Sequence, residues 1–452
     1  MFIVKEILQA TKGKLINEGV PDSLIIKGVS TDTRKVRKGE LFIALKGERF
    51  DGHDFIRKAI KKGVRAVIVS RPVSAPCVIL VDDTQKALGD IASAYRDKLK
   101  TCIVGITGSN GKTTTKDMIA HILSKQYAVA KTQETENNHI GVPLTLLNIT
   151  SHRYAIIEMG TNSPGEINYL AKIIRPQIGI ITNIGPSHLT GLKTEKNILN
   201  EKSKLFDHLA GSSCAIINKD DAYLSALKIR HKVLTYGIKN EKCDFHAGDI
   251  NAKNDSTEFI LNKKHRIKLP VLGEHNIYNA LAAICACSAL GIDVAPAARA
   301  LLNFKGPKMR FEIRNFNRIK IINDAYNSNP NSMQAALKTF GALKIMGKRI
   351  VVTADMLELG KEAASLHYKV GHIIAESNID LLITVGALSA HVAQGAKDSG
   401  MNNGSVKGFI DQKAAARYLV KISSPGDAIL IKGSRSMKME ELIECFITCS
   451  TR

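Results

Sequence analysis

The sequence predicts an α/β fold divided into three domains. Three observations predict it. The 452 residues exceed what one hydrophobic core organises. Short β-rich runs alternate with longer helical stretches along the whole chain. Those runs are apolar throughout their length, the pattern of parallel strands covered on both faces. Hydrophobic residues at 44% and charged residues at 23% describe a folded soluble chain rather than a disordered or membrane-spanning one, so no membrane insertion is expected.

In chain order the runs begin with Leu41-Phe-Ile-Ala-Leu45 and Ala66-Val-Ile-Val69. The middle of the chain adds Ile103-Val-Gly-Ile106, Ala155-Ile-Ile157 and Ile178-Gly-Ile-Ile-Thr182. The last part adds Ile319-Lys-Ile-Ile322, Ile350-Val-Val-Thr353, Leu381-Leu-Ile-Thr-Val385 and Ala428-Ile-Leu-Ile431. A polar segment, Arg96-Asp-Lys-Leu-Lys-Thr101, precedes the middle group, and a second transition falls between positions 310 and 317. The expected domains are therefore 1–98, 99–313 and 314–452. The opening segment, Met1-Phe-Ile-Val-Lys-Glu-Ile-Leu, carries a glutamate in its apolar stretch and no basic region ahead of it, so it does not read as a signal peptide. The expected compartment is the cytoplasm. Eight cysteines show no zinc spacing, and Cys285 and Cys287 sit in an apolar helical run as small core residues.

A formal charge of +22 permits a polyanionic partner. The lysines are spread along the chain, however, aromatic residues are only 5% and tryptophan is absent, so no stacking platform for bases is present. We expect a basic surface around small anionic substrates and no nucleic-acid partner.

The chemistry starts at Thr107-Gly-Ser-Asn-Gly-Lys-Thr113, between the run ending at Ile106 and the helical stretch Thr114-Thr-Lys-Asp-Met-Ile-Ala-His-Ile-Leu123. Glycines let backbone N–H groups wrap phosphate oxygens, and the helix start adds its positive end. Lys112 can reach the terminal phosphates and the Thr113 hydroxyl can ligate Mg²⁺. Thr107, Gly108, Ser109, Asn110, Gly111 and Thr114 complete the expected ATP cradle. The usual spacing wants glycine where Ile106 stands, with Gly105 and Gly108 on either side.

Two further strands should deliver side chains to the same sheet edge, where parallel sheets bind ligands. Glu158 ends one and is the candidate Mg²⁺ ligand. His188 follows the next in Thr182-Asn-Ile-Gly-Pro-Ser-His-Leu189, and Lys202 lies in the helical Asn200-Glu-Lys-Ser-Lys-Leu-Phe206. Taken singly, such residues are ordinarily a solvated rim carboxylate, a surface histidine and a solvent-facing lysine. Asn276 and Asn279 share one helical face and suit an adenine edge, or equally a helix cap with a buried amide.

The sequence resembles the Mur ligase family. Matching stretches are Ser30-Thr-Asp-Thr-Arg34, Gly47-Glu-Arg-Phe-Asp-Gly-His-Asp54, Asn137-Asn-His-Ile-Gly-Val-Pro-Leu144, Gly273-Glu-His-Asn-Ile-Tyr-Asn279 and Lys308-Met-Arg-Phe-Glu312. Asn323-Asp-Ala-Tyr-Asn-Ser-Asn-Pro330, Asp355-Met-Leu-Glu-Leu-Gly360 and Lys432-Gly-Ser-Arg-Ser-Met-Lys-Met-Glu440 extend it almost to the end. The resemblance implies a small N-terminal α/β substrate domain, a central P-loop ATPase domain with a mainly parallel sheet, and a C-terminal Rossmann-like α/β domain. It implies two Mg²⁺ ions, one on Thr113 and Glu158 and a second on His188, with a carbamylated Lys202 beside them. Lys202 is chosen over Lys204 because the family's lysine stands four residues before an apolar or aromatic residue, here Phe206.

By the same resemblance Asn276 and Asn279 meet the adenine, Asp324 the ribose and Arg310 the phosphates. Ser30, Thr31, Asp32, Thr33 and Arg34 lie near the UDP part of a substrate. Asn137, Asn138, Asn327, Asn329, Asp355, Glu358, Lys432, Ser434 and Arg435 are the expected contacts to its peptide and to the incoming amine. Ala354, where glycine is usual, and His139 are small departures from the pattern.

The implied reaction joins D-alanyl-D-alanine to UDP-N-acetylmuramoyl-tripeptide through an acyl phosphate, in peptidoglycan precursor synthesis, by a monomeric enzyme with Lys112, His188, Lys202 and Arg310 in catalytic roles. The nearest alternative is another Mur-type or folylpolyglutamate-type ligase with a different acceptor. A P-loop nucleic-acid motor and a non-catalytic nucleotide switch are more distant ones.

Overall fold

The apolar runs become the strands of three α/β sheets in the computed structural model, which describes residues 2–134, 136–253 and 255–450. In the first domain Val78–Leu80, Ala66–Val69, Leu41–Ile43 and Val29–Ser30 pair in parallel, and Lys14–Leu15 adds an antiparallel edge. The helix Thr84–Lys98 closes this domain. Asp83 caps it, its carboxylate accepting from the backbone N–H groups of Gln85 and Lys86. Its apolar face buries Leu88, Ile91 and Ala92.

The nine-stranded central sheet begins with Cys102–Thr107, flanked by Tyr154–Glu158 on one side and Ile178–Ile181 on the other, all parallel. The register sets Glu158 beside Ile106 and Ile181 beside Thr107, so both flanking strands end at the phosphate loop. Gly105 pairs with Gly179 on the neighbouring strand. A Cβ at Gly105 would meet Leu205 Cδ1 at 3.2 Å, and one at Gly179 would meet Phe206 Cδ1 at 3.2 Å. The paired glycines thus let the helix Glu195–Asp207 settle closely on the sheet. Gly105 belongs to that packing, not to the loop.

Beyond Lys232–Gly237 and Phe245–Ala252 the sheet turns antiparallel through Thr257–Leu261 and His265–Leu269, an extension absent from the strands read in the sequence. Cys285 and Cys287 are fully buried in the helix Glu274–Ala289.

The last sheet runs in the order Glu312–Phe316, Ile319–Asp324, Ala428–Lys432, Arg349–Ala354, Leu381–Val385, Val406–Phe409. Its first strand is an antiparallel hairpin partner and the rest are parallel. The limit expected between 313 and 314 falls inside that first strand. All of Glu312–Phe316 pairs with Ile319–Asp324, so the last sheet starts at Glu312. No helix among the described residues is long and apolar enough to cross a membrane.

Candidate active site

The phosphate loop sits at the wall of a cavity of about 1410 Å³ that draws on all three domains. Gly108 (φ 147°) and Gly111 (φ 82°) adopt backbone conformations that residues with a side chain rarely take. Space is short as well: a Cβ would lie 1.9 Å from Thr182 Oγ1 at Gly108, and 2.3 Å from Asn279 Oδ1 at Gly111. The segment after Ile178–Ile181 clamps the loop. Thr182 Oγ1 donates to the Asn110 carbonyl at 2.6 Å, Asn183 Nδ2 donates to the same oxygen at 3.1 Å, and Asn183 Oδ1 accepts from Asn110 N at 2.9 Å. Ser109 Oγ donates to the Gly185 carbonyl at 2.9 Å and accepts from Ser187 Oγ at 3.1 Å. These contacts hold the loop in shape before any anion arrives, which lowers the cost of ordering it around phosphate. Sequence reasoning took only His188 from this segment. The density of Thr, Asn and Ser directly after a strand end was the available signal.

Lys112 Nζ donates to the carbonyls of Gly108 at 2.6 Å and Ser109 at 3.3 Å. Burial pushes its pKa down, opposed by Glu158 and reinforced by Arg310. Arg310 Nη2 donates to Thr113 Oγ1 at 3.0 Å, and the guanidinium stacks 4.0 Å from the Tyr326 ring centroid. A residue just ahead of the last sheet therefore touches the first turn of the loop's helix.

Glu158 is 1% exposed. Its Oε1 accepts from Asn137 Nδ2 at 2.9 Å, and its Oε2 has no hydrogen-bond partner. A buried carboxylate oxygen left without a donor, in the same cavity as the Thr113 hydroxyl, supplies hard-oxygen donors of the kind Mg²⁺ takes. The described residues contain no group of three His, Cys, Asp or Glu able to hold a metal by themselves, so phosphate oxygens and water would have to complete the coordination.

His188 Nδ1 lies 2.6 Å from Glu358 Oε2, joining the central and last domains, and this hydrogen bond is the first cause lowering the Glu358 pKa. Lys202 is 1% exposed and forms no hydrogen bond or ion pair among the described residues. It is the opposite of a solvent-facing lysine. Burial, and then the charge of Lys112, drive its pKa well below the ordinary lysine value. Lys202 stands outside the cavity lining. Lys204 is on the surface, paired with Asp207 at 2.9 Å.

Asn276 and Asn279 are buried cavity residues whose amides engage each other: Asn279 Nδ2 donates to Asn276 Oδ1 at 3.0 Å, and Asn276 Nδ2 to the Leu272 carbonyl at 2.7 Å. Asp324 stands opposite Lys432 in register, and Lys432 Nζ donates to its Oδ2 at 2.6 Å and to the Asn327 carbonyl at 3.0 Å. Asp324 Oδ1 accepts from Phe311 N at 3.0 Å. Asn329 caps the helix Pro330–Gly341 and exchanges two amide hydrogen bonds with Asn110 of the phosphate loop, at 2.9 and 3.3 Å. Arg435 reaches the cavity and pairs with Glu440 at 2.5 Å. Asn137 and Asn138 line the cavity, with Asn138 Oδ1 accepting from the N–H groups of Ile140 and Gly141.

Some expected contacts lie elsewhere. Asp355 Oδ1 accepts from Ser389 N and Ser389 Oγ, both at 2.7 Å, and Ser434 Oγ accepts from Leu357 N at 2.8 Å; both residues are buried and outside the cavity lining. They hold the loops that carry Glu358 and Arg435. The stretch from Ser30 to Arg34 forms a local turn, with Arg34 bonded to the Asp32 carboxylate, and does not line the cavity. From the first domain the cavity takes Asp83, Gln85 and Lys86, at the start of its closing helix.

Family models match the chain in three places: the Mur ligase family catalytic domain over 25–96, the Mur ligase middle domain over 106–287, and the Mur ligase glutamate ligase domain over 309–435. UDP-N-acetylmuramoyl-tripeptide–D-alanyl-D-alanine ligase of Bacillus subtilis is 40% identical over 452 residues, covering 98% of each chain. The fold superposes on a crystal structure of MurF from Acinetobacter baumannii with a TM-score of 0.91 at 32% identity, covering 99% of both chains. It matches MurF from Thermotoga maritima in complex with ADP with a TM-score of 0.85 at 26% identity, covering 94% of this chain and 98% of that one.

Proposed function

The chain belongs to the Mur ligase family, and from that membership we propose that it joins D-alanyl-D-alanine to UDP-N-acetylmuramoyl-tripeptide at the expense of ATP, in peptidoglycan precursor synthesis. The observation that carries this reading is a clamped phosphate loop meeting Arg310, just ahead of the last sheet, and Asn329 of the last domain in one cavity.

A carboxylate resists attack by an amine because its carbon is electron-rich and its oxygen a poor leaving group. One oxygen of the tripeptide's terminal carboxylate attacks the γ-phosphorus of ATP; an O–P bond forms, the bond to ADP breaks, and an acyl phosphate results. The free amine of the dipeptide then attacks the carbonyl carbon. A C–N bond forms, the nitrogen gives up one proton to solvent, and the tetrahedral centre collapses by breaking its C–O bond to the phosphoryl group, so that inorganic phosphate leaves. The loop N–H groups, Lys112 and Arg310 stabilise charge on the transferring group. Thr113 and Glu158 would hold a Mg²⁺, with His188 at a second, and the metal would supply further charge neutralisation there. Burial favours Lys202 as a neutral amine, the form that adds to CO₂: an N–C bond forms, one proton leaves to solvent, and a carboxylate appears where the protein placed a lysine.

Asn276 and Asn279 fit the adenine, with an exchange of their mutual hydrogen bond for the base. Asp324 fits the ribose, and Asn327, Asn329, Glu358, Lys432 and Arg435 the peptide and incoming dipeptide. Asn137 and Asn138 belong to the same substrate wall. The turn at Ser30, Thr31, Asp32, Thr33 and Arg34 is assigned to the UDP end, remote from the reacting carboxylate. Incubation with the UDP-linked tripeptide, D-alanyl-D-alanine and Mg-ATP should give a product heavier by one dipeptide less water, with one phosphate released per product. A product containing a single amino acid in place of the dipeptide would overturn the assignment.

A further inference from the structure

Lys116 follows Lys112 by one helical turn and is among the most deeply buried side chains in the protein, at 1% exposure. An ammonium in such a place is costly unless something requires it. Its Nζ donates to the Thr132 carbonyl at 2.8 Å. It stands 3.6 Å from Glu158 Oε2 and 3.9 Å from Asp117 Oδ1, distances of charge attraction without a hydrogen bond. Thr132 serves both members of the pair, since its hydroxyl accepts from Glu158 N at 2.8 Å. Asp117 is paired separately with Lys131 at 2.7 Å. Glu158 Oε2 is therefore faced by a fixed positive charge that does not occupy its lone pairs, while Oε1 is held by Asn137.

We propose that Lys116 is a positioning residue for the divalent-ion site: it neutralises Glu158 from behind, leaves Oε2 free for a cation, and keeps the affinity for that cation low. A ligand carboxylate shared with a resident ammonium attracts a second cation less than a lone carboxylate does. The ion then binds firmly only together with nucleotide phosphates and leaves with the product. This rests on the reading of Thr113 and Glu158 as the metal site.

The test is Mn²⁺ binding to the full-length chain, followed by electron paramagnetic resonance, beside binding of ADP without metal. Lys116→Met keeps most of the side chain and removes the charge. The variant should bind Mn²⁺ about tenfold more tightly, a modest part of what a unit charge a few ångström away exerts on a divalent ion at an effective dielectric of about 20. Metal-free ADP, an anion, should bind no better than to the parent. Damage to the fold would weaken both, so this split separates charge tuning from mere support. Unchanged or weaker Mn²⁺ binding overturns the proposal. Lys116→Gln, which retains a donor for the Thr132 carbonyl, is measured in parallel and judged by the same criterion if the methionine variant does not fold. A parent protein that binds no Mn²⁺ even with ADP would instead overturn the metal-site reading itself.

Discussion

Replacing Lys432 by methionine should destabilise the last domain and weaken nucleotide binding together. The Lys432 side chain is 3% exposed and that of Asp324 is 15% exposed. The substitution removes a 2.6 Å ion pair and the 3.0 Å hydrogen bond to the Asn327 carbonyl, and leaves Asp324 with Phe311 N as its remaining donor. Removing one partner of a fully buried pair costs about 3–5 kcal/mol. Water can reach part of Asp324, so we expect about 2–3 kcal/mol. For a domain of this size that corresponds to a fall in Tm of about 6–10 °C. Differential scanning calorimetry with and without ADP measures both effects. Combining Lys432→Met with Asp324→Asn should cost clearly less than the sum of the two single changes, because the second removes the stranded charge. Additive losses, or a Lys432→Met change below about 0.5 kcal/mol, would refute the reasoning.

Other expectations concern the loop and its neighbours. Lys202→Met should raise Tm at neutral pH while abolishing ligation. The parent's folded lysine titrates well below 10.5, so between that depressed value and 10.5 the unfolded state binds more protons and the parent gains stability as pH rises; the variant's advantage should shrink over that window, and melting curves across it decide the matter. Gly108→Ala should cut ATP turnover at least a hundredfold, because the new methyl collides with Thr182 Oγ1 and the backbone sits at φ 147°; activity within tenfold of the parent would contradict the geometry. Asn329→Asp keeps the cap to Ser332 N but removes the donor to Asn110 Oδ1. It should change stability by no more than about 0.5 kcal/mol, read by thermal melting, and raise the KM for ATP severalfold, read by steady-state kinetics.

The parallel strands were legible because buried strands of a covered sheet are apolar from end to end, as Ile178–Ile181 and Ala66–Val69 are. The antiparallel extension was not singled out. His265–Leu269 alternates apolar and polar residues, a weaker signal in so short a segment, and Phe245–Ala252 turns polar along its second half. Within the site, Glu158 and His188 could be read because each follows a recognisable strand to the same edge. Lys116 could not. In sequence it is one more lysine in a helix, and its meaning comes from a carboxylate 42 positions later, which only the parallel register brings alongside. Asp355 and Ser434 show the reverse: their motifs stand out in the sequence, yet their side chains fasten loops to one another.

The contacts that fasten the phosphate loop also order its assembly in time. The loop is made early in synthesis, but its clamp at Thr182 and Asn183 follows more than 70 residues later, and its partner Asn329 another stretch on, 219 positions from Asn110. The edge strand Val129–Lys131 emerges before Tyr154–Glu158 and Ile178–Ile181, the two strands that flank Cys102–Thr107, so the middle of the sheet closes only after its edge strand has been made. A nascent chain thus acquires a phosphate cradle long before it has the arginine and asparagine that complete the site.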